Sequence, residues 1–213
     1  MKQSVGLVSL MVAIALAALA FAFQTNRLLL RPGKLIAQSA ADLEPDHPLP
    51  PDQELVMARV RLPVKVKNSL RNHVLNIDSV SHGCTFESES YVSSPSQFMF
   101  VGVNDEQFVP PIPLLTFPLV DGDSATYEGQ FRTGGSTIGE SMLPIRAKVN
   151  VKRSKLVLAN GPQDTIEVSV VAEYVSLGQK DKATRTFVFD FVPHHGILKR
   201  SFSGFSDRQV SQN

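Results

Sequence analysis

Two side chains stand at a spacing that suits a soft metal. His82 and Cys84, at i and i+2 around Gly83, offer an imidazole and a thiolate, ligands suited to Cu(I) or Zn. Two ligands fall short of the four that close a structural zinc site, and no spacing rule ties the other histidine pair, His194-His195, to Cys84. The competing reading makes Cys84 a small buried hydrophobe beside a turn glycine and His82 a surface residue. Nucleophilic catalysis would need a serine or cysteine served by a base. No Gly-x-Ser-x-Gly elbow is present, and Gly135-Ser136-Thr137-Ile138-Gly139 joins two strand candidates rather than a strand and a helix. Phosphate-cradling glycines, a His-Glu-x-x-His pair and calcium loops are absent from the sequence, and Asp121-Gly122-Asp123 reads as a turn. The sequence therefore predicts a non-enzymatic protein with no cofactor, the metal alternative resting on His82 and Cys84 alone.

Charge excludes another class. Lys and Arg total 21 against 20 for Asp and Glu, so a net charge of +1 supplies no field that would gather nucleic acid. One cysteine in 213 residues allows no intramolecular disulfide, and the core must hold by burial. Val5 to Phe23 is an uncharged run of 19 residues, which as a helix would reach roughly 28 Å at 1.5 Å per residue, close to a bilayer's hydrocarbon thickness. Residues 1–26 are thus expected to be a transmembrane signal-anchor or, given Ala20-Phe21-Ala22, a cleaved signal peptide. The membrane is accordingly an expected partner through residues 5–23. Residues 27–54, with the proline-rich stretch Gln38 to Gln53, read as a spacer.

The positioning elements are strands. Val60, Leu62, Val64 and Val66 alternate with Arg61, Pro63, Lys65 and Lys67, the period-2 pattern of a half-buried strand. Val74 to Val80 follows after a short turn, and Phe98 to Val103 reads as a strand covered on both faces. Further candidates are Ala125 to Arg132, Leu143 to Val151, Ile166 to Tyr174 and Phe187 to Phe191. Pro110-Pro111-Ile112-Pro113 and Pro118 read as a connection between sheets. The count predicts an all-β fold, a seven- to eight-stranded immunoglobulin-like β-sandwich over residues 55–196, preceded by an N-terminal transmembrane or signal helix. Residues 197–213 read as a frayed polar tail.

The stretch Val66-Lys67-Asn68 through Leu75-Asn76-Ile77-Asp78 to His82-Gly83-Cys84-Thr85 resembles a family of exported bacterial immunoglobulin-like domains of the PapD-like, abnormal-spindle-like type. That family carries Cys-Gly-Cys-Thr where this chain has His82-Gly83-Cys84-Thr85. Leu119 to Ser124 and Phe131-Arg132-Thr133 fall where the same pattern has a turn and a strand. The resemblance covers about residues 58 to 175 and implies a sandwich without enzymatic activity.

The expectation assembled from these readings is a binding or scaffolding module of the bacterial cell envelope. It would be anchored in the inner membrane facing the periplasm, or secreted if the leader is cleaved, and would meet a protein partner through a sheet edge or loops.

Overall fold

The alternation seen in sequence continues through segments that sequence reading leaves as loops. The structure, a computed structural model, describes residues 34–42, 52–57, 60–133, 141–158, 161–175, 182–193, 195–203 and 208–211. Fourteen strands run through these residues: β1 (Leu35–Ala37), β2 (Asp52–Met57), β3 (Val60–Arg71), β4 (Val74–Ser81), β5 (Cys84–Ser94), β6 (Gln97–Val103), β7 (Glu106–Thr116), β8 (Leu119–Val120), β9 (Ser124–Thr133), β10 (Ser141–Leu158), β11 (Gly161–Val175), β12 (Lys182–Val192), β13 (Gly196–Ser203) and β14 (Arg208–Ser211).

Twelve of them form one antiparallel ladder in the order β10-β11-β12-β13-β14-β2-β3-β4-β5-β6-β7-β9, which returns on itself as a strongly curled, closed sheet. The pairings are uneven in length. β10 and β11 pair from Ile145 with Tyr174 out to Leu158 with Gly161, whereas β7 meets β9 only at Gln107, Phe108 and Val109. Register shifts at Ser79/Val80, Ser90/Tyr91, Phe98/Met99, Phe100/Gly102 and Asp190/Phe191 supply local kinks, and such bulges increase the twist that curls a sheet. At Gly102 an added Cβ would run into the Glu106 backbone carbonyl, so this bend needs glycine.

Two hairpins close through two-residue turns with positive φ at both positions. Asn72 and His73 (φ 50° and 66°) join β3 to β4, and His82 and Gly83 (φ 49° and 80°) join β4 to β5. That geometry matches the right-handed twist of the flanking strands.

The sheet is largely apolar inside and carries exposed charges outside. On β10 the inward residues Leu143, Ile145, Ala147, Val149 and Val151 are buried, and β11 continues with Ile166, Val168, Val170, Ala172 and Tyr174. Lys65, Lys67, Arg146, Lys148 and Lys152 occupy exposed outward positions, the reverse of the lipid-facing apolar band of a membrane-spanning barrel.

Aromatic side chains fill the interior and connect opposite stretches of the ladder. Tyr91 on β5 packs on Phe189 of β12 with ring centroids 6.2 Å apart, and Phe98 meets Phe191 at 5.5 Å. Phe100 on β6 touches Phe187, Phe189 and Phe202, while Phe108 on β7 reaches Phe187 at 5.7 Å. The sheet is thus pressed together so that β5, β6 and β7 face β12 and β13.

Several expectations are corrected here. The fold is not a seven- to eight-stranded immunoglobulin-like sandwich, because β2, β5, β7, β13 and β14 add to the expected strands and make the ladder continuous instead of two separate sheets. The proline segment is a strand: Met99 and Phe100 pair with Pro113 and Ile112, while Pro110 and Pro111 fall in the stretch that β6 leaves unpaired. The segment expected as a frayed tail contains β13 and β14, with Leu198, Arg200 and Phe202 buried. Part of the expected spacer is packed too, since β1 pairs with β8, Ala37 and Ala40 are buried, and Arg153 Nη2 donates to the Leu35 carbonyl at 3.1 Å.

The helix-anchored reading is also corrected. Among the described residues the helical element is the single turn Ala40–Asp42, and no helix is long and apolar enough to cross a membrane. Residues 5–23, on which the span and the membrane partner were placed, lie outside the described residues.

The packing makes a contrast testable. Phe100, fully buried against five other aromatic side chains, should cost about 3–5 kcal/mol when changed to Ala. Phe86→Ala, at an outward position 39% exposed, should stay within about 0.5 kcal/mol of the parent. Denaturant midpoints of the two variants check this.

Candidate functional site

Strand β5 places an unusual row on the inside of the sheet. Its alternation turns Glu87, Glu89 and Tyr91 inward, and all three are fully buried. Across the interior, β13 turns Leu198, Arg200 and Phe202 inward in the same way. The two rows meet at one carboxylate. Arg200 Nε donates to Glu89 Oε1 at 2.7 Å, and the Tyr91 hydroxyl donates to Glu89 Oε2. Both members of the ion pair are 0% exposed.

Burial and this contact set the protonation states. Burial, reinforced by the Glu89 carboxylate, pushes the Tyr91 phenol well above its ordinary range. Burial by itself works against the Arg200 charge, but the Glu89 carboxylate, with Tyr91 and Glu87 beside it, outweighs that and holds Arg200 above the usual arginine value. The cluster therefore contains a protonated phenol and a charged guanidinium, both bonded to Glu89. None of the three is exposed, so the cluster does not touch a substrate from outside; it ties β5 to β13.

A second pair has the same form. Arg185 on β12 is 2% exposed and lies 2.6 Å from Glu106 at the start of β7. Its guanidinium sits 5.6 Å from the Phe131 ring centre and 5.5 Å from that of Phe187, within cation–π range. Tyr127 completes the inner polar contacts, donating from its hydroxyl to the Pro110 carbonyl at 2.5 Å, and burial raises its pKa to about 12.

The described residues include the linings of two surface depressions. One, of about 470 Å³, lies between β3 and β4 and is lined by Lys65, Lys67, Val80 and His82 among others. The other, of about 380 Å³, has Gly129, Ile145 and Tyr174 in its lining, with Glu128, Arg146 and Glu173 around them.

The two residues predicted as metal ligands fall at the β4–β5 turn. His82 occupies its first position with Nδ1 3.1 Å from Ser81 Oγ, and Cys84 follows as the first residue of β5, paired in register with Ser81. Cys84 is exposed, which corrects its reading as a buried hydrophobe. Among the described residues no group of three or more His, Cys, Asp or Glu is arranged to hold a metal. His194 lies outside the described residues.

The residues that sequence reading missed are the buried ions. Their signal is present in Glu87-Ser88-Glu89-Ser90-Tyr91, where both glutamates share the phase of an aromatic residue. It recurs in Leu198, Arg200 and Phe202.

No family model matches the sequence, and no curated protein is detectably similar to it. Solved structures that align with this chain include the hypothetical lipoprotein YmcC from Escherichia coli, 9% identical, with a TM-score of 0.42 over 88% of this chain and 93% of that one. A protein with a YmcC-like fold from Bacteroides fragilis is 12% identical, with a TM-score of 0.39 over 79% and 96% of the two chains. The absence of any matching family model and the chain's own sheet topology correct the resemblance to immunoglobulin-like domains. A chain with one cysteine has no Cys-Gly-Cys-Thr motif, and the curled continuous ladder is not that sandwich.

Three outcomes follow. Removing one member of the central pair, by Glu89→Ala or Arg200→Ala, should destabilise by about 3–5 kcal/mol, whereas the double change Glu89→Leu with Arg200→Met should recover most of the loss. A double-mutant cycle in denaturant measures both. The phenols of Tyr91 and Tyr127 have folded-state pKa values above the unfolded value, so their contribution is fully present below about pH 10. It is lost as pH rises through the folded value, about 12 for Tyr127. Stability should therefore fall across that window, and by less in Tyr127→Phe. Exposed Cys84 should react with a thiol reagent without denaturant, at one equivalent per chain; reaction only after unfolding would contradict its placement.

Proposed function

We propose that this chain is a non-enzymatic binding or scaffolding module of the cell envelope, which engages its partner through the outer surface of the curled sheet and its loops. The observation that supports this reading is the occupied interior. Aromatic side chains from β5, β6 and β7 meet those of β12 and β13 at centroid distances of 5.4 to 6.2 Å, so recognition falls to the outside. There the charged rows and the groove lined by Lys65, Lys67 and His82 with Val64 and Val80 offer a mixed polar and apolar surface. The apolar run of residues 5–23 ending near Ala20-Phe21-Ala22 supports export of the folded part.

The test is cross-linking of the full-length protein in cells with an amine-reactive reagent, followed by mass spectrometry. A reproducible protein partner linked through outward lysines such as Lys65, Lys67, Lys148 or Lys152 is expected. A chain that cross-links to nothing, or an enzymatic activity abolished by a single substitution, would contradict the reading.

A further inference from the structure

The ladder closes on a short seam. β7 meets β9 at Gln107, Phe108 and Val109, opposite Arg132, Phe131 and Gln130. Beyond Val109 the β7 sequence reads Pro110-Pro111-Ile112-Pro113, and its three prolines have no N–H to give a neighbouring strand. β9 continues without β7, paired through Ser124 with β10 alone.

The bonding phase of β9 identifies the groups left over. The Val151 N–H donates to the Asp123 carbonyl at 2.8 Å, and the Gly122 N–H donates to the Val151 carbonyl at 3.0 Å. Antiparallel bonding alternates from residue to residue. Counted along the register from this contact, Ala125, Tyr127 and Gly129 bond toward β10, opposite Val149, Ala147 and Ile145. Ser124, Thr126 and Glu128 therefore aim their N–H and C=O groups away from β10. All three are exposed, and no described strand pairs with them on that side. Each offers one donor and one acceptor, at intervals of about 6.6–6.8 Å, the spacing of an extended backbone. The usual guards of a free edge are missing, since Ser124 to Thr133 holds neither proline nor lysine.

The opening has a wall at each end. At one, the Asp123 N–H donates to the Val120 carbonyl at 3.1 Å and closes the turn into β9; at the other, the Tyr127 hydroxyl holds the Pro110 carbonyl of β7. A short edge between two walls fits a single extended segment. The edge of a second folded copy would bring its own sheet against those walls.

We propose that the outward edge of β9, from Ser124 to Glu128, is a strand-addition site that takes an extended segment of the partner protein through main-chain hydrogen bonds. Resting on the reading that the chain has a protein partner, the site fixes the form of that contact: a strand without proline at the positions that bond to Ser124, Thr126 and Glu128.

The experiment places a photoreactive amino acid at position 124, 126 or 128 of the full-length protein in cells, in parallel with amine cross-linking, and maps the linked residues by mass spectrometry. The expected result is one segment of one partner, with the linked residue advancing by two for each two-residue step along β9. Amine cross-links to a partner with no links from the edge, or edge links scattered over the partner, would overturn the site and leave the binding role standing. Edge links to another copy of this chain would overturn the partner strand in favour of self-association. No links by either reagent would overturn both. Thr126→Pro removes the central outward N–H and spares the bonds of Ala125 and Tyr127 to β10, so it should weaken capture roughly tenfold. Undiminished capture by that variant, folded with the parent's denaturant midpoint, would overturn the site; if the variant does not fold, the photo-cross-link register decides.

Discussion

A fully buried arginine sets the terms for the rest of this fold. Moving a guanidinium out of water costs several kcal/mol even after relaxation. Arg200 is tolerated because Glu89 meets it at 2.7 Å and is itself fixed by the Tyr91 hydroxyl. For that contact to exist, β5 and β13 must face each other across the interior, although seven other strands separate them in sequence. The aromatic rows make the same demand. Tyr91 can reach both Glu89 and Phe189 only if the sheet curls until opposite stretches touch.

The curl has local causes. Bulges on β5, β6 and β12 bend the sheet, and Gly102 lets β7 turn back against β6 where a side chain could not fit. Polar contacts then secure the interior at two places, Glu89 with Arg200 and Glu106 with Arg185, with Phe100, Phe187 and Phe202 packed around Phe108 and Phe189. Other charged pairs lie on the outside. There Arg146 pairs with Glu128 at 2.6 Å while largely exposed, a contact worth little to stability.

Sequence reading recovers the strands whose inward residues are all apolar. Val64 and Val66, the run Leu143 to Val151, the run Ile166 to Tyr174 and the phenylalanines of β12 all declare themselves by period two. It fails where an inward position holds a charge or a strand holds proline. Glu87 and Glu89 make β5 look solvated, Pro110 and Pro111 disguise β7, and Lys199 with Arg200 make β13 look like a tail. Without those strands the remainder sums to a sandwich, which is why the immunoglobulin-like expectation arose and why it does not hold. The central ion pair was invisible for a related reason: period two gives the facing of a residue within its strand, while the meeting of residues 89 and 200 depends on closure of the whole ladder.

The claim on which the account turns is that β13 is an integral wall of the core, joined to β5 through Arg200. Native-state hydrogen exchange resolved by residue tests it directly. The β13 amides from Lys199 to Ser203, the stretch in register with β12, should exchange as slowly as those of β11 and β12, opening only with global unfolding. Exchange of β13 at the rate of an unstructured terminus, with β12 still protected, would contradict the account.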